Sequence, residues 1–215
     1  MGLQRQAGHY PRGSAEFARV LSFSDGVMSI AITLLVLNID LPIPKSDSTA
    51  AAADVLKLLQ ALKPELSAFL VSFVIVAYAW VGHHRLLADL EQIDGVFITW
   101  NFAYLLLVAL VPLQSQLIGL YDTNPVALNV YSLLFALLFL CDLVGLQLAW
   151  KRRLMGRRPS RRRRLHATLA KLLPVLVFLL AIPAVKVVGT SIANWIWLSI
   201  WPLEWLLDRS LGVRT

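Results

Sequence analysis

Residues 19–42 read RVLSFSDGVMSIAITLLVLNIDLP, and this stretch decides the class of fold. No charged residue lies between Asp25 and Asp40. The run is therefore long enough to cross a hydrocarbon layer of about 30 Å as an α-helix. An ionisable group at the start of such a helix needs a protein partner or water. We therefore expect Asp25 to contact a group on another helix.

The composition of the whole chain agrees with this interpretation. Of its 215 residues, 58% are hydrophobic and 15% are charged, and the mean hydropathy is +0.67. A soluble domain has about 45 to 50% apolar and about 25% charged residues. The chain is therefore predicted to be an integral membrane protein. Its single cysteine, Cys141, excludes an intrachain disulfide and a cysteine metal cluster.

Six apolar segments follow one another along the chain, at residues 20–40, 66–82, 96–120, 126–150, 165–188 and 192–207. In lipid, a continuous apolar segment satisfies its own backbone groups only as a helix. The segments lack the alternation of a membrane β-barrel. We predict an all-α integral membrane protein with six transmembrane helices, and we expect no carboxylate near the middle of any span.

The orientation follows from a basic loop at Lys151–Arg164, which holds nine of the chain's twenty lysines and arginines. Six spans put this loop on the same side as both termini, and the positive-inside rule makes that side cytoplasmic. No cleavable signal peptide is visible at the N-terminus. The loop could bind anionic lipid, at about 1 kcal/mol per basic residue near the surface. Simple solvation of the loop is an equal alternative.

The first apolar segment has a distinctive pattern when it is drawn as a helix. Ile30, Leu34 and Leu37 fall on one stripe, and a neighbouring stripe carries small or hydroxyl-bearing residues, namely Ser22, Gly26, Ser29 and Thr33. Such residues are typical of helix packing in membranes. From the residues alone, packing is favoured over pore lining.

Polar residues gather at one end of the first three segments. Arg19 and Asp25 are six residues apart and cannot form an i to i+4 pair, so each needs a partner on another helix. The candidate partners are His83, His84, Arg85 and Asn101, with no pairing decided. Adjacent histidines point about 100° apart on a helix, so they cannot hold one metal ion as an i, i+4 pair does. We expect no metal site.

Enzyme motifs are missing from the sequence. It contains no P-loop, no nucleophile elbow and no HExxH motif. The potassium-channel filter sequence TVGYG is also missing. The chain is therefore not expected to be an enzyme, to use a cofactor or to bind nucleic acid.

Three sequence motifs resemble the bacterial members of the transmembrane protein 175 potassium channel family. The signature RxxxFSD occurs as Arg19, Phe23, Ser24 and Asp25, followed by GVMSIAITLLVL. The other two are WVGHHRLL from Trp80 and NFAYLLLVALVP from Asn101. The resemblance is most specific in the first three spans.

The resemblance implies a homotetramer in which the first helix of each subunit lines a central cation pathway. Ile30 then maps to a narrow apolar constriction, Leu34 and Leu37 map to further apolar rings, and Thr33 is a candidate pore hydroxyl. A structural or gating network would comprise Arg19, Phe23, Ser24, Asp25, Trp80, His83, His84 and Asn101. Potassium is the implied permeant ion, and the implied location is the bacterial inner membrane.

The expected organisation is a cytoplasmic segment at residues 1–18, a channel domain at 19–210 that contains the loop 151–164, and a tail at 211–215. The predicted function is a potassium-preferring cation channel. Two alternatives stay open at this point. A secondary transporter would need a midplane site built from broken helices and ionisable groups, and a membrane scaffold would conduct nothing.

Overall fold

The computed structural model describes residues 8–41, 52–156 and 159–211. Residues 1–7, 42–51, 157–158 and 212–215 therefore lie outside the description, and with them parts of the predicted terminal segments and two arginines of the basic loop. The described residues form eight α-helices: α1 Ala15–Leu34, α2 Ala52–Ala61, α3 Lys63–Ala88, α4 Gly95–Ala109, α5 Val111–Leu120, α6 Pro125–Lys151, α7 Arg161–Ile196 and α8 Ile200–Leu211.

Five stretches of helix are long and apolar enough to span a membrane: Ala15–Asn38, Lys63–Ala88, Gly95–Leu120, Pro125–Lys151 and Arg161–Val187. They coincide with the first five predicted spans, which confirms a helical, multi-pass membrane protein. The third stretch consists of α4 and α5, which meet where Pro112 begins α5. A proline has no backbone N–H and favours a helix start.

The sixth predicted span is not one continuous helix. Gly189, which lies between the fifth and sixth predicted spans, has φ of 78°, outside helical geometry, and interrupts α7. A 3₁₀ turn at Trp197–Ser199 then separates α7 from the twelve residues of α8. Glycine tolerates positive φ without steric cost, so the chain bends there. The described residues thus contain five helices of spanning length, where six were predicted.

The core of the subunit is built around α6, which contacts α4, α5 and α7. Aromatic rings from α6 and α7 stack in its interior, with Phe135 and Phe139 of α6 both packed on Phe178 of α7. Half of the most apolar 18-residue stretch of α6 is buried. In the corresponding stretch of the first span, Ala15–Asn38, only 22% is buried. The first helix therefore has most of its surface available for contacts outside the subunit.

A small sheet holds the N-terminal segment against two loops. Strand β1 (His9–Pro11) pairs antiparallel with β2 (Gln92–Asp94), and Glu91 N–H donates to the carbonyl of Leu154 in the basic loop at 2.9 Å. We call β1, β2 and Leu154–Met155 the strand clasp. The clasp confirms that the N-terminal segment, the α3–α4 loop and the α6–α7 loop lie on one side of the helices.

Asp94 is the polar centre of the strand clasp. Its carboxylate accepts a hydrogen bond from Phe97 N–H at 2.8 Å, which caps α4, and a second one from the Arg152 side chain. Burial of Asp94 opposes its ionisation, but these two hydrogen bonds outweigh burial and lower the pKa of Asp94 below its usual value. The carboxylate therefore stays charged and links the start of α4 to the end of α6.

Gly145 of α6 lies where α4 approaches most closely. A Cβ atom at this position would be 1.9 Å from Cζ2 of Trp100. The indole cannot move away easily, because its Nε1–H donates to the carbonyl of Cys141 at 2.8 Å. The close contact between α4 and α6 therefore requires a residue without a Cβ atom at position 145.

We expect Gly145→Ala to destabilise the protein by about 1 to 3 kcal/mol, since overpacking outweighs the gain in helix propensity. The measurement is the thermal unfolding midpoint of the detergent-purified protein. Gly95→Ala is the matched control, because a Cβ atom at Gly95 meets no atom within 4 Å. An unchanged or raised midpoint for Gly145→Ala would contradict the packing argument.

Candidate functional site

The first helix has one buried face and one exposed face. Phe17, Ser24, Met28 and Ala31 pack into the subunit. Ile30, Leu34 and Leu37 lie on the other face, with 59%, 41% and 71% of their surfaces exposed. The predicted apolar stripe is therefore free of contacts that would bury it within its own subunit.

Hydroxyl-bearing residues share the exposed face. Ser29 and Thr33 are both exposed, and each hydroxyl donates to a backbone carbonyl of the same helix: Ser29 to Asp25 at 2.8 Å, and Thr33 to Ser29 at 3.0 Å. Because the Thr33 proton is used in this way, the hydroxyl oxygen presents its lone pairs outward. Such an oxygen is suited to face a cation.

The far end of α1 tightens into a 3₁₀ turn at Leu35–Asn38. Asn38 closes this end, because its side-chain amide donates to the carbonyl of Pro112 at 2.6 Å. Leu35 is fully buried in the same turn. The exposed residue Leu37 is thus held on a segment that is fixed to the junction of α4 and α5.

Polar contacts fix the middle of α1 to α3 and α4. The Asn101 side-chain amide donates to the hydroxyl of Ser24 at 2.9 Å, and both residues are buried. Trp80 Nε1–H donates to the Asp25 carboxylate at 3.2 Å. Asp25 therefore has the partner on another helix that the sequence predicts, and this partner is an indole.

Aromatic rings surround these polar contacts. The ring of Phe23 lies 5.5 Å from that of Phe102, and Trp80 lies 5.2 Å from His84. His83 is buried and stacks on Tyr104, with centroids 4.3 Å apart. The structure thus brings together six of the eight predicted network residues, namely Phe23, Ser24, Asp25, Trp80, His84 and Asn101, with His83 beside them.

Arg19 is the member that stays apart. Its side chain is exposed, and no described acidic side chain of the same subunit lies within ion-pair distance of it. Asp25 and Arg19 do not pair with each other, as their spacing predicts. Arg19 is left available for a contact outside its own subunit.

The expectation that no carboxylate lies well inside a span is wrong. Asp142 lies within α6, is only 4% exposed, and pairs with Lys171 of α7. The signal was present in the sequence, since Asp142 is an isolated acid within an apolar run. It was missed because the partner lies on the next helix, 29 residues further along the chain.

A metal centre finds no support in the part of the chain that the structure describes. There, no group of three His, Cys, Asp or Glu side chains is arranged to hold a metal ion. The adjacent residues His83 and His84 point to different surroundings, as the helical spacing predicts: His83 is buried, whereas His84 is exposed.

Comparison with known proteins points to one family. The sequence model of the family described as "Endosomal/lysosomal potassium channel TMEM175" matches residues 19–112. A potassium channel of Chamaesiphon minutus is 37% identical over 137 residues, which cover 64% of this chain and 66% of that protein. In these comparisons the chain is similar to the TMEM175 family.

Two further comparisons extend this result. A potassium channel of Streptomyces collinus is 32% identical over 135 residues, or 63% of each protein. The crystal structure of a lysosomal potassium-selective channel TMEM175 homologue from C. minutus superposes with a TM-score of 0.70 and 26% identity, covering 93% of this chain and 100% of that one. TMEM175 proteins are ion channels and not enzymes.

The family and sequence matches cover only part of this chain and part of its relatives. They span just under two thirds of the length of each of the two bacterial sequence relatives. The family match ends at Pro112, so it contains the first helix and the whole predicted network but neither Asp142 nor Lys171. The second half of the chain therefore lies outside the family match.

We expect Asp25→Asn and Trp80→Phe to be non-additive, because Trp80→Phe removes the hydrogen bond and Asp25→Asn removes the charge of its acceptor. A double-mutant cycle of thermal stability in detergent measures the coupling energy, which we expect to be about 1 kcal/mol. Combining Asp25→Asn with Trp205→Phe is the control, since Trp205 stacks on Arg209 of its own helix. Strict additivity in the first cycle would contradict the anchoring role of Trp80.

Proposed function

We propose that this chain is one subunit of a homotetrameric, potassium-preferring cation channel whose pore is lined by α1. Four copies of Ile30, Leu34 and Leu37 form an apolar neck in place of a carbonyl selectivity filter. The bacterial relatives named potassium channels support the ion, and the likeness to a potassium-selective channel structure supports the architecture.

One observation carries the pore assignment. Exposed apolar residues on a membrane helix could simply face lipid. However, the exposed surface of α1 also carries Ser22, Asp25, Ser29 and Thr33. Polar residues are costly against hydrocarbon and favour the interior of a helix bundle or a water-filled cavity. A helix that is poorly buried in its subunit and partly polar on its exposed side suits a symmetric pore.

The apolar neck suggests how the channel prefers potassium. A cation that crosses a ring of four Ile30 side chains must shed part of its hydration shell, and the ring offers no replacement ligands. Potassium gives up water at a lower cost than sodium, so it crosses more readily. Thr33 hydroxyl oxygens next to the ring would partly replace the lost water. A dry neck can also close by dewetting.

The residues at the middle of α1 hold the neck in position. Ser24, Asp25, Asn101 and Trp80 join α1 to α3 and α4 within one subunit. Arg19, which is exposed on α1, contacts an acidic group across the subunit interface in the assembled channel. This network serves assembly and gating and does not contact the permeating ion.

The topology follows from the positive-inside rule. The strand clasp and the basic loop face the cytoplasm of a bacterial cell, in its inner membrane, and the segment from Thr190 to Leu211 makes the sixth crossing through its broken helices. Residues 1–18 and 211–215 are then cytoplasmic, and the channel domain covers 19–210. The exposed arginines of the loop 151–164 contact anionic lipid headgroups, which complement their charge.

We expect Ile30→Ala to raise single-channel conductance or relative sodium permeability, because a smaller side chain widens and wets the narrowest ring. Currents and reversal potentials in planar bilayers measure both quantities. Leu137→Ala is a suitable control, as Leu137 is an exposed apolar residue of α6. Unchanged conductance and reversal potential would rule out Ile30 as the constriction.

A single cysteine at Leu37 tests the symmetry axis. In a Cys141→Ser background, we expect Leu37→Cys channels to be blocked by cadmium, because several thiolates would face one narrow axis and share the ion. Leu133→Cys provides the control, since Leu133 is an exposed residue of α6. Normal currents that resist both cadmium and thiol reagents from either side would remove α1 from the pathway.

A further inference from the structure

A groove with arginine side chains in its walls lies between the end of α6 and the start of α7. It consists of two cavities of about 520 and 390 Å³. Trp150, Met155 and Pro159 line both cavities, so the two adjoin at these residues. We call the two cavities together the Trp150 groove. None of its described lining residues belongs to α1, so the groove is separate from the proposed neck.

Three arginine side chains line the Trp150 groove. Arg163 lines the larger cavity, and Arg153 and Arg164 line the smaller one. Among the described residues, no acidic side chain lies within ion-pair distance of any of the three. A guanidinium group does not lose its proton in a protein, so these three positive charges are permanent.

The charge around the groove is strongly positive. The described residues 151–156 and 159–164 contain seven lysines and arginines and no acid. One of the seven, Arg152, is paired with Asp94. Two acids of the α3–α4 loop lie nearby, since Asp89 lines the larger cavity and the Glu91 carboxylate adjoins Gly156 of the smaller one. The six remaining basic side chains therefore outnumber the nearby acids.

Two of the groove's arginines are held in defined positions. The guanidinium carbon of Arg164 lies 4.9 Å from the centre of the Trp150 ring, a cation–π contact. Arg153 sits in a tight turn with φ of 56°, where its N–H donates to the Trp150 carbonyl at 3.2 Å. The N–H of Leu154 closes this turn by donating to the Ala149 carbonyl at 2.9 Å. The contacts reduce the entropy that these arginines would lose on binding an anion.

The start of α7 increases the need for a counter-charge. The N-terminal end of a helix carries a partial positive charge and favours anions. The first turn of α7 instead holds four consecutive arginines, Arg161–Arg164, and no acid. These cations repel one another and the positive end of the helix. An anion in the groove would relieve this repulsion.

The position of the groove favours a lipid headgroup over a soluble anion. The groove lies where the spanning stretch Pro125–Lys151 ends and Arg161–Val187 begins. Leu165, Leu176 and Leu180 form a stripe within about 60° on α7 and are 52%, 48% and 64% exposed. The stripe begins directly after Arg164 and provides an apolar surface for acyl chains. Basic pockets between membrane helices on the cytoplasmic side bind lipid phosphates.

The arrangement of the arginines indicates a headgroup with two phosphates. One cavity offers the guanidinium groups of Arg153 and Arg164, and the adjoining cavity offers that of Arg163. Arginine binds phosphate oxygens through paired N–H donors. A lipid with a single phosphate would occupy one cavity and leave the charge of the other without a partner. Two phosphates joined by a short polar linker would satisfy both.

We propose that the Trp150 groove is a binding site for one diphosphatidyl lipid. One phosphate binds Arg153 and Arg164, the other binds Arg163, and the acyl chains lie along the apolar stripe of α7. The site rests on the topology of the proposed function, in which the basic loop faces the inner leaflet. It gives this loop a defined lipid site in addition to a general attraction to anionic headgroups, and the bound lipid joins the end of α6 to the start of α7.

The test uses the purified full-length protein, delipidated in a neutral detergent at constant ionic strength. Native mass spectrometry counts the lipids retained after addition of diphosphatidylglycerol, or of phosphatidylglycerol at equal phosphate concentration. We expect one diphosphatidylglycerol per subunit, bound at least about tenfold more tightly than phosphatidylglycerol. Inorganic pyrophosphate, which has two phosphates and no acyl chain, is expected to displace little of it. Because no current is measured, failure here is distinct from failure of the channel assignment, and Ile30→Ala is expected to bind lipid normally.

Variants of exposed arginines locate the site. Arg153→Gln and Arg164→Gln are each expected to weaken diphosphatidylglycerol binding about tenfold. Arg164→Lys keeps the charge but loses the paired donors, so we expect weaker binding here as well. Arg163→Gln is expected to remove the preference for two phosphates over one. Arg209→Gln is the matched control, since Arg209 is also exposed and lies over an indole, that of Trp205, outside the groove.

Three results would overturn the proposal. The first is that the wild type retains no more diphosphatidylglycerol than the Arg153→Gln, Arg164→Gln double variant. The second is equal affinity for the two lipids at equal phosphate concentration, or an equal loss of binding in Arg209→Gln, either of which would indicate a general charge effect. The third is complete displacement of the lipid by pyrophosphate, which would assign the groove to a soluble anion.

Discussion

The structure depends on one constraint, which is that a polar group in hydrocarbon must find its partner within the protein. Backbone groups meet this constraint by forming helices. Polar side chains meet it through contacts between helices, such as Asn101 with Ser24, or Asp142 with Lys171. Where a polar residue remains exposed, as Thr33 does on α1, its hydroxyl donates to a backbone carbonyl of the same helix.

The first helix is held firmly although it is the least buried of the spanning helices. Its middle is joined to α3 and α4 by Trp80 and Asn101, and its far end is tied to Pro112 through Asn38. These contacts leave Ile30, Leu34 and Leu37 exposed.

The two halves of the chain have different roles in this arrangement. The part that matches the TMEM175 family ends at Pro112 and contains α1, its anchors and the strand β2. The second half supplies α6, around which the core is built, and the arginines of the Trp150 groove. The strand clasp connects the halves, because Arg152 at the end of α6 binds Asp94 at the start of α4. A displacement of α6 would therefore move the start of α4, which is one of the helices that contact α1.

The sequence by itself determined the elements whose causes are local. Apolar length and the cost of unpaired backbone groups in lipid predicted six spans, and five of them are helices of spanning length in the described residues. The periodicity of α1 predicted the stripe of Ile30, Leu34 and Leu37. Three motifs, among them RxxxFSD, indicated the resemblance to the family, and spacing alone predicted that Arg19 and Asp25 do not form an i to i+4 pair. These inferences need only neighbouring residues and a known period.

Only the tertiary structure decided which groups meet across helices. The pairing of Asp142 with Lys171, the choice of Trp80 as the partner of Asp25, and the need for glycine at 145 beside Trp100 all join residues that are far apart in the chain. The 3₁₀ turn at Trp197–Ser199, inside the sixth predicted span, was not predicted, whereas the break at Gly189 falls between the fifth and sixth predicted spans. Hydropathy specifies that a segment is buried, but the rotation and height of each helix determine which side chains touch, and those are set by the packing of all the helices together.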